Sequence, residues 1–243
     1  MQKKKTMKPI RTVALITKSD LSRDPFLKEI RKNKFKISET PDAILACGGD
    51  GTLLAAVHKY PSVPVLFIRT TTPPHTKPQE EVHSLAMFSK KLRALRSCEY
   101  SLREYPLIKG RVGGRNVWAI NDIVIRNKHP THAIRFIVKT NFHSKQFPKH
   151  VGDGIVVSTP LGSTGYFNSI TRKHFSQGLG VAFNNTIRPE QPLLLSSKSR
   201  IICKILRGNA TLSADNVRGV LSLKENDTVR ISQSKKFCRL IHL

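Results

Sequence analysis

The chain has 243 residues, of which 42 are Lys or Arg and 16 are Asp or Glu, so its formal net charge is +26. This length suffices for one large hydrophobic core or two smaller ones. Because the sequence contains no run of about 18 apolar residues, it excludes a membrane-spanning helix, and we expect neither a signal peptide nor a membrane partner.

The positive charge predicts a polyanionic partner, either a nucleic acid or nucleotides such as ATP and NAD. The basic residues are scattered along the chain, and no zinc-finger spacing, RNP-like aromatic run or long basic helix accompanies them. Nucleic acid is therefore an open but not favoured partner, and a charged solvated surface is an equally simple interpretation.

The cysteines predict a reducing compartment. Cys47, Cys98, Cys203 and Cys238 lie far apart and form no CxxC pair, so we predict neither a zinc site nor a redox motif and assign no metal ligand. We expect reduced thiols in a cytoplasmic protein.

The first third of the chain alternates strand and helix signals. Short apolar runs predict buried strands, and Pro25 directly after Asp24 is typical of a helix start. This order predicts a Rossmann-like α/β fold with a parallel sheet. The predicted elements are strands at 12–16, 43–47 and 64–68 and helices at 24–32, 53–57 and 80–95.

From residue 98 onward, short β-rich segments separated by turn signals predict an all-β, sandwich-like domain with antiparallel strands. We therefore expect an α/β domain over 1–97 and a β-rich domain over 98–243, whose last strands pack back on the first domain. Segments 70–79 and 169–185 interrupt the pattern and are predicted to be loops or mobile elements. The predicted strands are at 117–125, 133–140, 154–158, 201–206 and 217–223.

The first candidate site is Gly48-Gly49-Asp50-Gly51-Thr52, which follows a buried strand and opens a helix. Glycines let phosphate oxygens approach backbone N–H groups, and the helix start adds its positive end. Asp50 suits two roles there: it accepts a proton from an attacking hydroxyl, or it helps hold a Mg²⁺ ion that bridges phosphates. A tight Gly-Asp-Gly turn without a ligand is the alternative.

The second candidate begins at Gly152-Asp153-Gly154 and continues through a strand into Ser158-Thr159-Pro160-Leu161-Gly162-Ser163-Thr164-Gly165-Tyr166. The hydroxyl groups offer hydrogen bonds, the glycines allow close approach, and Tyr166 offers a ring face to a base or nicotinamide. A surface loop rich in Ser, Thr and Gly is the alternative.

The third candidate is Asn121-Asp122, inside the apolar run 117–125. On a strand these neighbours would point to opposite faces, so at least one would be buried and need a partner such as the two hydroxyls of a ribose. A β-bulge or a turn at this point is the equally weighted alternative.

These three segments, in this order, closely resemble the NAD kinase family. Residues 210–216 resemble the family's late strand, which ends in an Asp-Gly pair, so the similarity extends from about Ala43 to Asp215. The Gly-Gly-Asp-Gly-Thr stretch alone is weakly discriminating, since lipid kinases and phosphofructokinases resemble it there. Its combination with residues 153–166 is much more specific.

The resemblance implies phosphorylation of the 2′-hydroxyl of the adenosine ribose of NAD by ATP, polyphosphate or another donor, with Mg²⁺ or another divalent cation. It further implies a homo-oligomer, either a dimer or a tetramer. By the same resemblance, Asp50 is the catalytic base. The residues implied in binding are Gly48, Gly49, Gly51 and Thr52 near the donor phosphates, Asn121 and Asp122 at ribose hydroxyls, and Asp153, Thr164, Gly165 and Tyr166 along the dinucleotide pocket.

The chain also departs from the family pattern. The third strand runs into Arg69 and a Thr-Pro-rich stretch, where the family has Gly-Ile-Asn and a Gly-rich loop, and residues 167–172 replace a small-residue stretch after the tyrosine. Two alternatives stay open: a related kinase acting on a lipid or sugar alcohol, and a catalytically decayed protein that binds nucleotides or nucleic acid.

Overall fold

The computed structural model describes residues 8–18, 21–70, 80–141, 148–217 and 219–243. The chain divides into two compact units, one formed by Met1–Tyr105 with Cys238–Leu243 and the other by Pro106–Phe237. The assignment of functional domains to 1–97 and 98–243 stays a prediction. The predicted loop at 70–79 lies outside the described residues except for Thr70.

The first unit is a parallel sheet with helices, as predicted. Strand β3 is buried along its whole length, which is typical of parallel strands covered on both faces. Apolar side chains of the helices at 24–32 and 80–96 and of the strands share one core. The elements are β1 (Thr12–Thr17), α1 (Asp24–Lys32), β2 (Lys36–Ile37), β3 (Ala43–Gly48), α2 (Asp50–Lys59), β4 (Val65–Arg69) and α3 (Glu80–Arg96).

The strand order places a switch point beside the glycine-rich loop. The sheet runs β2-β1-β3-β4, and these neighbours pair in parallel. The chain turns to one side of β1 to form β2 and to the other side to form β3, and open α/β sheets bind ligands at the carboxyl ends of the strands beside such a switch point. The last strand of the chain joins this unit at its end, where Leu240 pairs in parallel with Val65.

The second unit is a β-sandwich. One of its sheets is antiparallel throughout and has the strand order β12-β11-β10-β7-β14-β15. Inward-facing residues of this sheet and of β5, β6, β8, β13 and β16 form one buried core. The remaining elements of the chain are β5 (Ser101–Val112), β6 (Arg115–Ala119), β7 (Asp122–Asn127), β8 (Ile134–Thr140), β9 (His150–Gly152), β10 (Gly154–Ser158), α4 (Tyr166–Thr171), β11 (Leu179–Asn184), β12 (Leu193–Leu195), β13 (Arg200–Arg207), β14 (Ala210–Ala214), β15 (Leu221–Leu223) and β16 (Thr228–His242).

Three local predictions were wrong. Residues 117–125 are not one strand: β6 ends at Ala119, the chain bends at Ile120 and Asn121, and β7 begins at Asp122. Residues 169–185 are not a loop, because they contain the end of α4 and the whole of β11, whose apolar side chains are buried between β10 and β12. Among the described residues of the segment 217–223, only Leu221–Leu223 forms a strand.

Three of the four cysteines are buried, and Cys98 is half-buried. Burial raises the pKa values of Cys47 and Cys203 to about 12, which keeps both thiols protonated. Within the described residues, no helix is both long enough and apolar enough to cross a membrane.

Candidate active site

The glycine-rich loop connects β3 directly to α2. Gly49 is the N-cap of α2, and no side chain caps this end, so the first backbone N–H groups of the helix lack helical acceptors. A Cβ atom on Gly48 would collide with the hydroxyl of Thr52, which is buried against it. Gly48 and Thr52 therefore shape the loop, whereas Asp50 and Gly51 are its exposed residues.

Asp50 is the first residue of α2, and its carboxylate meets a guanidinium. Oδ1 of Asp50 accepts a hydrogen bond from Nη2 of Arg69 at 2.6 Å, and both side chains are 58% exposed. Arg69 ends β4 and is the register partner of Gly48 on the neighbouring strand. The loop thus presents a helix N-terminus, one carboxylate and one arginine at the carboxyl edge of the sheet.

In the second unit, Asp215 organises the bend at Asn121. Its carboxylate accepts three backbone hydrogen bonds, from Ile120 at 2.9 Å, from Asn121 at 2.8 Å and from Asp122 at 3.1 Å. The backbone N–H of Asp215 in turn donates to the carbonyl of Asp122 at 2.8 Å. An ionised acceptor makes these bonds stronger than neutral ones, so one side chain holds the conformation of the whole bend.

The segment after β10 also holds this bend, through the carbonyl groups of its backbone. Thr159 donates from its hydroxyl to the carbonyl of Ile120 at 2.6 Å and from its backbone N–H to the carbonyl of Asn121 at 2.8 Å. Gly162 lies so close to the Asn121 backbone that a Cβ atom there would overlap it. Position 162 therefore requires glycine, because the Asn121 backbone leaves no room for a side chain. The N–H of Gly162 donates to the Thr159 hydroxyl.

The bend carries one unsatisfied polar atom and one carboxyl group with a raised pKa. Among the described residues, the Oδ1 atom of Asn121 is buried and has no hydrogen-bond partner, which is costly unless a ligand supplies a donor. Burial, and secondly the negative charge of Asp215, raises the pKa of Asp122 to about 7. Near neutral pH the Asp122 carboxyl can therefore both accept and donate hydrogen bonds, as a ribose hydroxyl requires.

Asp153 and Tyr166 belong to a second polar cluster at the opposite end of β10. The Asp153 carboxylate accepts hydrogen bonds from Asn127 at 3.4 Å and from Asn185 at 3.2 Å. Asn184 donates to the Tyr166 hydroxyl at 3.1 Å, and its carbonyl accepts the Asp153 N–H at 3.0 Å. The five residues of β10 separate this cluster from the Asn121 bend by roughly 15 Å.

The segment from Gly162 to Tyr166 links these two clusters. It forms a 3₁₀ turn at Gly162–Thr164, passes through the exposed Thr164 and Gly165, and enters α4. Helix α4 packs on the face of the sheet that carries Val124, Val156 and Ala182. Asp122 and Val124 are two residues apart on β7, so their side chains lie on the same face of the sheet.

The structure therefore gathers the predicted residues into three groups: the glycine-rich loop in the first unit, and the Asn121 bend and the Asp153 cluster in the second. Sequence reasoning assigned no site role to Asp215, and it proposed Arg69, which departs from the family pattern, only as extra positive charge for phosphates. A carboxylate directly after the strand-like alternation of residues 210–214 was the available signal for Asp215, but the sequence does not show which backbone groups it holds.

Solved structures show the same fold over nearly the whole chain. Yeast NADH kinase, in complex with NADH, is similar with a TM-score of 0.80 and 16% identity, covering 97% of this chain and 84% of that chain. An NAD kinase from Archaeoglobus fulgidus, in complex with ATP, is similar with a TM-score of 0.73 and 19% identity, covering 94% and 92%. These similarities confirm the α/β unit combined with a β-sandwich unit.

The amino-acid sequence is similar to those of known kinases over most of its length. A NAD kinase of Sulfurisphaera tokodaii is 28% identical over 228 residues, which is 89% of this chain and 88% of that protein. Fold and relatives together place the chain among phosphotransferase enzymes. The model of the ATP-NAD kinase C-terminal domain matches residues 120–243, which is more than half of the chain. The chain belongs to the NAD kinase family.

Proposed function

We propose that this protein is an NAD kinase that transfers the terminal phosphoryl group of ATP or polyphosphate to the 2′-hydroxyl of the adenosine ribose of NAD. Its product would be NADP, so the enzyme would serve NADP biosynthesis. Family membership and the named relatives favour NAD over a lipid or sugar alcohol as the acceptor.

The bend at Asn121 and Asp122 is the observation that carries this proposal. Its backbone is held by Asp215 and Thr159, while the buried Asn121 Oδ1 atom lacks a donor within the described residues. Two adjacent polar groups at fixed positions match the two adjacent hydroxyls of a ribose. We assign Asn121 and Asp122 to those hydroxyls, because hydroxyl donors would remove the cost of the unpaired oxygen.

We assign Asp50 the role of general base. The ribose 2′-oxygen forms a bond with the terminal phosphorus of the donor, and the bond between that phosphorus and its bridging oxygen breaks. The hydroxyl proton passes to Asp50, which starts α2 and is exposed to substrate. The donor phosphates lie on the helix N-terminus, where Gly48, Gly49, Gly51 and Thr52 give the loop its shape.

Mg²⁺, when bound, neutralises the donor phosphates. The part of the chain that the structure describes contains no cluster of three or more His, Cys, Asp or Glu side chains able to hold a metal ion. Mg²⁺ commonly binds through one or two carboxylates together with substrate phosphates, so the residues present fit an ion that arrives with the donor. We assign it no protein cage and no separate step.

We assign the remainder of the dinucleotide to the face of the sheet covered by α4. Thr164 and Gly165 are exposed there, and Tyr166 places a ring beside Asn184. Asp153 lies just before the far end of β10, where Asn127 and Asn185 hold its carboxylate. A dinucleotide is long enough to extend over the roughly 15 Å between the clusters along β10.

The test is formation of NADP from NAD by the purified protein with Mg²⁺ and ATP, followed with an NADP-specific dehydrogenase, and repeated with polyphosphate and with NADH. The Asp50→Asn variant should bind NAD but lose about 10²–10⁴-fold in turnover, the usual contribution of a general base. Asp24→Asn is the matched control, because Asp24 is also the exposed first residue of a helix in the same unit.

Near-normal turnover by Asp50→Asn would refute the assignment of the base while leaving the activity intact. No NADP from the unaltered protein with ATP or polyphosphate would refute the proposed function itself. Equal losses in Asp50→Asn and Asp24→Asn would indicate a general effect of removing a helix N-terminal charge.

We also propose a cytoplasmic homo-oligomer, a dimer or a tetramer. The widely spaced cysteines, which form no CxxC pair, support a reducing compartment, and the family resemblance supports self-association. Light scattering of the purified protein measures its mass, and a mass of one chain, 27.3 kDa, would refute the oligomer.

A further inference from the structure

Arg69 is held in place by three neighbours. It is the register partner of Gly48 in the parallel sheet, its guanidinium lies 5.4 Å from the centre of the Phe67 ring, and its Nη2 atom donates to Asp50. Phe67 and Arg69 are two residues apart on β4, so they share one face of the strand. The side chain is therefore directed along the edge of the sheet onto the first residue of α2.

The contact between Arg69 and Asp50 is accessible to solutes. Both side chains are 58% exposed, and exposed ion pairs change an equilibrium constant by only about fivefold or less. While the pair is formed, the guanidinium occupies Oδ1 of the carboxylate that we assign as the base. A stronger partner for Arg69 would release that oxygen.

A phosphate chain is such a partner. Arginine binds phosphate through two parallel hydrogen bonds, and phosphate carries more charge than a carboxylate. The uncapped N-terminus of α2 attracts phosphate to the same place. Beside Arg69, the buried Oγ1 atom of Thr70 has no hydrogen-bond partner among the described residues. This edge of the sheet therefore carries a further polar group with an unmade hydrogen bond.

We propose that Arg69 couples binding of the donor to release of the base. Without a donor, Arg69 holds Asp50, and when a donor phosphate binds, the guanidinium moves to the phosphate and frees the carboxylate. This inference rests on the proposed function, because it takes Asp50 as the base. It makes Arg69 a donor-binding and positioning residue of this chain.

The experiment is a double-mutant cycle on binding, which needs no turnover. The affinities for Mg²⁺-ATP and for inorganic tripolyphosphate are measured by calorimetry for the unaltered protein, Asp50→Ala, Arg69→Ala and the double variant. Arg69→Ala should weaken binding about tenfold or more, since charge-assisted hydrogen bonds are lost. Asp50→Ala should tighten it about two- to fivefold, because the competing carboxylate is gone.

The double variant separates competition from simple repulsion. If Asp50 acts by holding Arg69, Asp50→Ala should tighten binding less when Arg69 is absent. If Asp50 only repels phosphate, Asp50→Ala should tighten phosphate binding as much or more in the Arg69→Ala background, since no guanidinium then offsets the charge of Asp50. An equal or larger gain in the Arg69→Ala background would overturn the inference, as would absence of tripolyphosphate and ATP binding by the unaltered protein.

Kinetics add a second readout. Arg69→Lys keeps the charge but loses the bidentate geometry, so the KM for ATP should rise about tenfold while the KM for NAD stays within about twofold. Arg103→Ala is the matched control, because Arg103 also lies over an aromatic ring, 5.3 Å from the Tyr105 centroid, in the same unit. Equal rises in both KM values would overturn the assignment to the donor.

Failure of this inference is distinguishable from failure of the proposed function. NADP formation by the unaltered protein, combined with additive effects in the binding cycle, would overturn the inference alone. Coupled binding without NADP formation from either donor would overturn the proposed function and leave the coupling standing.

Discussion

Replacement of Asp122 by Asn should remove a pH effect on stability. In the unfolded chain an aspartate loses its proton near pH 3.8, whereas burial and the Asp215 carboxylate raise the pKa of Asp122 in the folded protein to about 7. Between these values the folded state binds more protons than the unfolded state. Raising the pH through this range therefore weakens the fold, and the full loss is present above pH 7.

The magnitude follows from the two pKa values. Between pH 5 and pH 8, a single carboxyl group with a pKa of about 7 folded and 3.8 unfolded loses about 2.6 kcal/mol of stability. Since an amide does not titrate, the free energy of unfolding of Asp122→Asn, minus that of the unaltered protein, should increase by about 2.6 kcal/mol over that range.

Urea unfolding at fixed ionic strength measures this difference. Trp118 is the chain's single tryptophan and lies in the same unit as Asp122, so its fluorescence reports the relevant unfolding. Glu225→Gln, at an exposed turn of that unit, reports the effect of net charge alone. A difference between Asp122→Asn and the unaltered protein that stays constant within about 0.5 kcal/mol from pH 5 to 8 would refute the reasoning.

Three other substitutions test the surrounding structure. Asp215→Ala should lower the free energy of unfolding by about 2–4 kcal/mol and raise the KM for NAD, because three backbone donors lose an ionised acceptor; a loss below about 0.5 kcal/mol in urea would contradict this. Gly162→Ala should destabilise by about 1–3 kcal/mol through overlap with the Asn121 backbone, and unchanged NAD affinity by calorimetry would show that the bend tolerates the shift. His150 lies between two phenylalanine rings, and burial lowers its pKa against the opposing effect of Glu190. This histidine should therefore cost the fold stability as the pH falls below about 6.5, so the free energy of unfolding of His150→Phe, minus that of the unaltered protein, should rise between pH 7 and pH 5; a difference that stays constant in urea unfolding would refute this.

Much of the fold could be predicted because its signals are local. Apolar runs of strand length, the Asp24-Pro25 start of a helix and glycines directly after β3 each depend on a few neighbouring residues. These patterns placed the parallel sheet, the glycine-rich loop and Asp50 at the beginning of α2 correctly. The same patterns indicated the antiparallel strands of the second unit.

The wrong predictions arose where local composition has more than one solution. Gly178 and Gly180 suggested a loop, yet the residues from Leu179 to Asn184 are a buried strand, because β10 and β12 supply partners on both sides. Gly180 lies against the rings of Phe167 and Phe175, where a side chain would collide. Burial against distant strands therefore decided the structure of this segment.

The sequence by itself determined the class of fold, the position of the glycine-rich loop and the polar residues from which a site is built. Only the tertiary structure decided that Asn121 and Asp122 form a bend, because the carboxylate that holds their backbone belongs to Asp215, more than 90 residues away. Only the structure paired Asp50 with Arg69, since parallel register brings the end of β4 beside Gly48. Long-range hydrogen bonds and strand register are properties of the folded chain, and no local pattern encodes them.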